Sequence, residues 1–104
     1  MNESEKRAVQ LFQNYRRNDC SNEASVSHYL YVDRSGDAKR LGKSLTKEGF
    51  DTEVRRSGSG KKWLVLVTHR ISVEERSIET FRDLLEATVS ELKGGEYDGW
   101  EAEV

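Results

Sequence analysis

A chain of 104 residues with 35% hydrophobic and 35% charged residues has room for one modest core and must use its apolar residues in stripes. The formal charge of -2 hides a division: residues 1–70 hold 14 Lys/Arg against 9 Asp/Glu, residues 71–104 hold 3 against 10. No apolar run approaches the roughly 20 residues of a membrane-spanning helix, the charged start M-N-E-S-E-K-R is unlike a signal peptide, and one cysteine, Cys20, excludes an intramolecular disulfide. A cytoplasmic protein without membrane contact is expected.

Residues 2–17 read as a first helix, with Ala8, Leu11, Phe12 and Tyr15 as its apolar stripe. Asn2 and Glu5 have capping-box spacing, and Arg16 and Arg17 suit a helix C-terminus. Residues 18–23 lack periodicity and form a loop. Its thiol, Cys20 beside Asp19, lacks the basic surroundings of a reactive cysteine. Residues 1–23 are thus set apart as a helix and loop, and residues 24–104 as the main domain, within one compact unit.

Val26-Ser27-His28-Tyr29-Leu30-Tyr31-Val32 alternates as a strand, with Val26, His28, Leu30 and Val32 on one face and Tyr29 and Tyr31 on the other. After a turn at residues 33–36, a second helix runs from about Asp37 to Gly49. Ala38, Leu41 and Leu45 form its apolar stripe, and Lys39, Arg40, Lys43 and Lys47 its polar side. Phe50-Asp51-Thr52-Glu53-Val54-Arg55 alternates again and suits an edge strand, because its outward residues are charged. A glycine-serine hairpin at residues 56–61 leads into Trp63-Leu64-Val65-Leu66-Val67, the longest apolar run and the natural sheet interior. The hairpin's glycines do not make a phosphate loop, whose G-x-x-x-x-G-K-[ST] pattern is missing.

Ser72 and Glu75 have the spacing of a second capping box. Ile78, Phe81, Leu85, Val89 and Leu92 keep to one face of a third helix. Gly94-Gly95 ends it, and Tyr97–Val104 is a final strand with Trp100, Ala102 and Val104 facing the core. By that alternation Tyr97 points the other way.

Helix, then strand–helix–strand–strand–helix–strand, predicts an α+β fold: a ferredoxin-like βαββαβ plait with an extra N-terminal helix. The four-stranded antiparallel sheet would have order 4-1-3-2, its two most apolar strands central and its two most charged at the edges. That topology places an acidic flank and a basic flank on opposite sides of the sheet. It also makes His28 and His69 cross-strand neighbours. Two histidines lack the third ligand a zinc site requires, and no cofactor motif is present, so neither metal nor cofactor is expected.

Three stretches, Ser27-His28-Tyr29-Leu30-Tyr31-Val32-Asp33, Trp63-Leu64-Val65-Leu66-Val67-Thr68-His69 and Gly94-Gly95-Glu96-Tyr97-Asp98-Gly99-Trp100-Glu101, together resemble the family of regulators of ribonuclease E activity, type B. The resemblance covers residues 24–104 and is most specific in Tyr-Asp-Gly-Trp-Glu. It implies a non-catalytic, ferredoxin-like protein that binds an endoribonuclease and inhibits or retargets it. The family's regulator is strongly acidic, whereas here the acid is confined to the last third of the chain. On this reading the partner-binding residues are Glu79, Asp83, Glu86, Glu96, Tyr97, Asp98, Glu101 and Glu103, an acidic surface suited to an arginine-rich segment.

The rival reading is an RNA-binding plait. Tyr29 and Tyr31 would stack on bases, and Lys39, Arg40, Lys43, Arg55, Arg56, Lys61 and Lys62 would attract phosphates. Against it, the third strand lacks the aromatic pair of such sheets. An enzyme is the least supported class, since no nucleophile–base or paired-acid arrangement is left over once capping and alternation are explained.

Overall fold

A computed structural model describes residues 2–15 and 23–103, and the predicted roles of Cys20, Arg16 and Arg17 fall outside them. The elements are α1 (Glu3–Tyr15), β1 (Glu23–Val32), α2 (Ser35–Lys47), β2 (Asp51–Arg56), β3 (Trp63–Ser72), α3 (Glu75–Ser90) and β4 (Glu96–Ala102). The four strands form one antiparallel sheet in the order β2-β3-β1-β4, the expected order taken from the other edge.

The register explains why the two long strands are central. Val26, His28, Leu30 and Val32 of β1 stand opposite His69, Val67, Val65 and Trp63 of β3. These residues line the face that the helices cover, and Val26, His28, Leu30, Val32, Val65 and Val67 are completely buried there. Ala38, Leu41 and Leu45 of α2 and Leu85 and Val89 of α3 close over them with Phe50. A second cluster joins Val9 and Phe12 of α1 to Ala24, Val26, Val73 and Ile78, with Ile71, Trp100 and Ala102 packed against it. All three helices therefore pack on one face of the sheet. The other carries Tyr29, Tyr31, Leu64, Leu66 and Thr68 by register, and no described helix covers it.

Three local expectations are corrected. The buried positions of α1 are Val9 and Phe12, while Ala8 is exposed and Leu11 is 62% exposed. Here the inward face includes polar residues that find partners: Gln13 donates to the Val73 carbonyl at 3.0 Å, and Glu5 binds Arg82. Ser72 does not cap α3. It is the last residue of β3, paired with Glu23, and Glu74 stands at the helix entry without a side-chain cap. At the start of α1 the cap does form, with the Glu5 amide donating to Asn2 Oδ1 at 2.8 Å.

The third correction is Tyr97. Leu30 stands opposite Tyr97 and His28 opposite Trp100, so β4 spends one more residue than β1 between those pairs. Gly99 supplies the bulge with φ of +114°, a backbone conformation that other residues rarely adopt. The extra residue returns Tyr97 to the same face as Trp100, against the simple alternation.

Candidate functional site

Four of the expected acidic residues run along β4, the strand at one margin of the sheet. Glu96 and Glu101 stand opposite Tyr31 and Ser27, on the uncovered face. Asp98 is exposed in the bulge, and Glu103 continues the strand through its amide, which donates to the Ser25 carbonyl at 2.8 Å. On the helix-covered side, α3 packs against β4 and carries Glu79, Asp83 and Glu86. The β4 margin is therefore acidic from both sides of the sheet.

Several of these carboxylates already have partners. The Tyr29 hydroxyl donates to Glu101 Oε1 at 2.6 Å, a bond that holds the phenol above its usual range. Lys62 Nζ donates to Glu96 Oε1 at 3.2 Å and to the Gly94 carbonyl at 2.8 Å, with Asp33 3.6 Å away. Glu96, foremost, raises the Lys62 ammonium above its ordinary range. Lys62 therefore belongs to the acidic margin and not to a basic flank. Asp83 accepts from Arg82 at 3.0 and 3.2 Å, which places one cation inside the acidic surface of α3.

Arg82 is the residue that sequence reasoning missed. Its Nη1 also donates to both Glu5 oxygens, at 2.9 and 3.0 Å, and Trp100 Nε1 reaches Glu5 Oε2 at 3.3 Å. Glu5, Arg82 and Trp100 thus tie α1, α3 and β4 together beside a hollow that Glu86 and Tyr97 also line. The only signal available was an arginine interrupting an acidic helix.

Tyr97 is not an outward-facing aromatic. It is half-buried, its hydroxyl is 2.8 Å from His28 Nδ1, and burial, foremost, pushes its phenol well above the usual range. His28 Nε2 faces His69 Nε2 at 2.9 Å, and Phe50 and Phe81 stand against the His69 ring. The two histidines are diagonal neighbours, because Val67 is directly opposite His28. No group of three His, Cys, Asp or Glu side chains that could hold a metal occurs among the described residues.

The residues of the RNA-binding alternative are divided. Tyr29 and Tyr31 are half-buried on the uncovered face, opposite the aliphatic Leu66 and Leu64, and Arg55 joins them there by register. Arg56 lies on the helix side with its guanidinium 5.5 Å from the Trp63 ring. Lys39, Arg40 and Lys43 belong to α2, behind the sheet; Lys61 is exposed in the hairpin, and Lys62 is bound to Glu96.

These features describe a small α+β protein with an open four-stranded antiparallel sheet and charged strands at its margins. The family model described as regulator of ribonuclease activity B matches residues 5–102, nearly the whole chain, and the protein belongs to that family. The match takes in α1, which the sequence resemblance left out. No curated protein matches the sequence.

Proposed function

We propose that this protein is a non-catalytic, cytoplasmic regulator that binds a protein partner, an endoribonuclease of RNA turnover, through the acidic margin formed by β4 and α3. One observation carries the reading: Glu96, Asp98, Glu101 and Glu103 line an edge strand whose outer side pairs with no described strand, and Glu79, Asp83 and Glu86 of α3 extend the charge behind it. An arginine-rich segment would meet complementary charge there, which mainly speeds encounter and selects the partner. Membership of a family of ribonuclease regulators supports the identity of the partner. The β1-α2-β2-β3-α3-β4 order with β1 and β3 central supports a ferredoxin-like plait, with α1 as an addition.

Affinity purification from the native cell, with and without ribonuclease treatment, is expected to recover an endoribonuclease in both cases. Replacing Glu101→Lys and Glu103→Lys together should weaken that complex. Unchanged affinity at low salt would refute the assignment of the site.

One observation favours the RNA reading: α1 leaves the Tyr29 and Tyr31 face uncovered. Glu101, bonded to Tyr29, opposes it by placing a carboxylate where phosphates would pass. Salt-sensitive binding of single-stranded RNA by the isolated protein, lost on Tyr29→Ala with Tyr31→Ala, would establish this alternative.

A further inference from the structure

The margin opposite the acidic one is also built, and the regulator reading leaves it unused. Lys39, Lys43 and Lys47 recur every fourth residue along α2 and, with Arg40, rim a groove of about 700 Å³ between that helix and β2. Gly42 lets the helix approach closely: a Cβ there would stand 3.0 Å from Val54 Cγ2. The Thr46 hydroxyl donates to the Gly42 carbonyl at 2.8 Å, and the single proton of the Thr52 hydroxyl is shared between Thr46 Oγ1 at 2.8 Å and the same carbonyl at 3.3 Å. The polar atoms of the floor are thereby satisfied within the protein, and the groove surface is mostly apolar.

The lysines of the rim are available. Arg40 is held by Asp37, but no ion pair engages Lys39, Lys43 or Lys47 among the described residues. β2 is the outermost strand, paired with β3 on one side and with no described strand on the other. Its free edge is a ready template for another strand. The dimensions agree: residues four apart on a helix rise about 6 Å, and alternate residues of an extended chain are spaced about 6.6 Å.

We infer that this groove receives an extended acidic segment of a protein partner, which adds to the β2 edge and sets alternate carboxylates against Lys39, Lys43 and Lys47. Backbone pairing supplies affinity and the lysine row supplies selectivity, as in other cases of strand addition. A single-stranded nucleic acid would match the charge row equally well. It is disfavoured because the floor of Gly42, Thr46, Thr52 and Val54 offers no aromatic ring for a base to stack on, and a sugar-phosphate backbone has no alternating N–H and C=O groups to continue the strand ladder. This surface is separate from the β4 margin, so it stands whether or not the acidic site proves correct.

The test uses the full-length protein and a fluorescein-labelled peptide of about twelve residues alternating Glu and Thr, with a Lys/Thr peptide and an oligouridylate of similar length as controls, at low salt. Fluorescence anisotropy should show saturable binding of the acidic peptide alone. Binding should fall about tenfold or more in the exposed-residue variant Lys39→Glu, Lys43→Glu, Lys47→Glu, and change by less than about twofold in Lys6→Glu, the reversal of an exposed lysine on α1. Amide NMR signals of β2 and α2 should shift on titration. Four outcomes would overturn the proposal: no binding of the acidic peptide, binding insensitive to the lysine reversal, lysine-dependent binding of the oligouridylate in its place, or lysine-dependent self-association of the protein without peptide binding.

Discussion

The Nε2 atoms of His28 and His69 face each other at 2.9 Å across the covered side of the sheet. One proton must lie between them, because an N–H has to meet a bare nitrogen. His28 spends its other nitrogen on the Tyr97 hydroxyl, so the neutral pair and the phenol form a continuous chain with the fully buried His28 ring at its centre. The pair admits one extra proton with its central bond intact and excludes a second, which would set two N–H groups against each other.

That arrangement makes stability sensitive to acid. Burial, and then the proximity of His69, lowers His28 to about 3, and burial lowers His69 as well. A histidine whose folded value lies below its unfolded value stabilises the fold fully above about pH 6.5 and loses that contribution as pH falls toward the folded value. The loss from His28 should be about 1.4 kcal/mol per pH unit through that window. Urea midpoints measured from about pH 7 to about pH 5 should fall more steeply in the native protein than in His28→Leu. Parallel slopes would show that the pair does not titrate with unfolding.

Tyr97→Phe removes the hydroxyl partner of His28 Nδ1 and leaves a buried nitrogen unsatisfied. A cost of about 1–2 kcal/mol is expected. Urea unfolding checks it, and a change below about 0.3 kcal/mol would mean that the bond contributes nothing net.

Glu5 binds Arg82 through both carboxylate oxygens, and the two side chains are only 17% and 19% exposed. Glu5→Gln keeps the shape but removes the charge opposite the guanidinium. It should destabilise the protein by about 2 kcal/mol and alter the emission of Trp100, whose indole N–H loses a charged acceptor. An unaltered spectrum together with unaltered stability would show that α1 is held by its apolar contacts alone.

The register of α1 has its own test. Val9→Ala should cost about 2 kcal/mol, since Val9 is 2% exposed in the second core cluster. Leu11→Ala should stay within about 0.5 kcal/mol, since Leu11 faces solvent. The reverse ranking would restore the stripe expected from spacing.

At Gly95 an added Cβ would overlap the Val89 carbonyl at the end of α3. Gly95→Ala should cost about 2 kcal/mol or more, because backbone and not a flexible side chain would have to move. Thermal unfolding measures this directly, and an unchanged midpoint would show that the turn readily rearranges.

The strands and the stripes of α2 and α3 were legible because one physical pattern set each of them. Ala38, Leu41 and Leu45 are apolar at helical spacing, and Val26, Leu30 and Val32 are apolar at strand spacing; all six are buried. The α1 stripe misled for a related reason. Its inward face mixes Val9 and Phe12 with Glu5 and Gln13, whose partners Arg82 and Val73 lie 77 and 60 residues away. Periodicity cannot see a polar group that is satisfied at long range. Tyr97 failed because one inserted residue reverses strand parity, and the alternation gives no sign of the insertion.

By itself the sequence determined the element order, the central position of the two apolar strands, the charged margins and the nearness of His28 to His69. Each follows from local periodicity combined with the few connections a chain can make between strands. Only the tertiary structure decided that α1 joins the other helices and leaves Tyr29 and Tyr31 uncovered. It alone moved Lys62 to the acidic margin, put Tyr97 on the His28 ring and set Lys39, Lys43 and Lys47 along a groove beside a free strand edge. Those outcomes depend on side chains meeting across long sequence separations, where burial and hydrogen bonding, not local spacing, settle which contacts form.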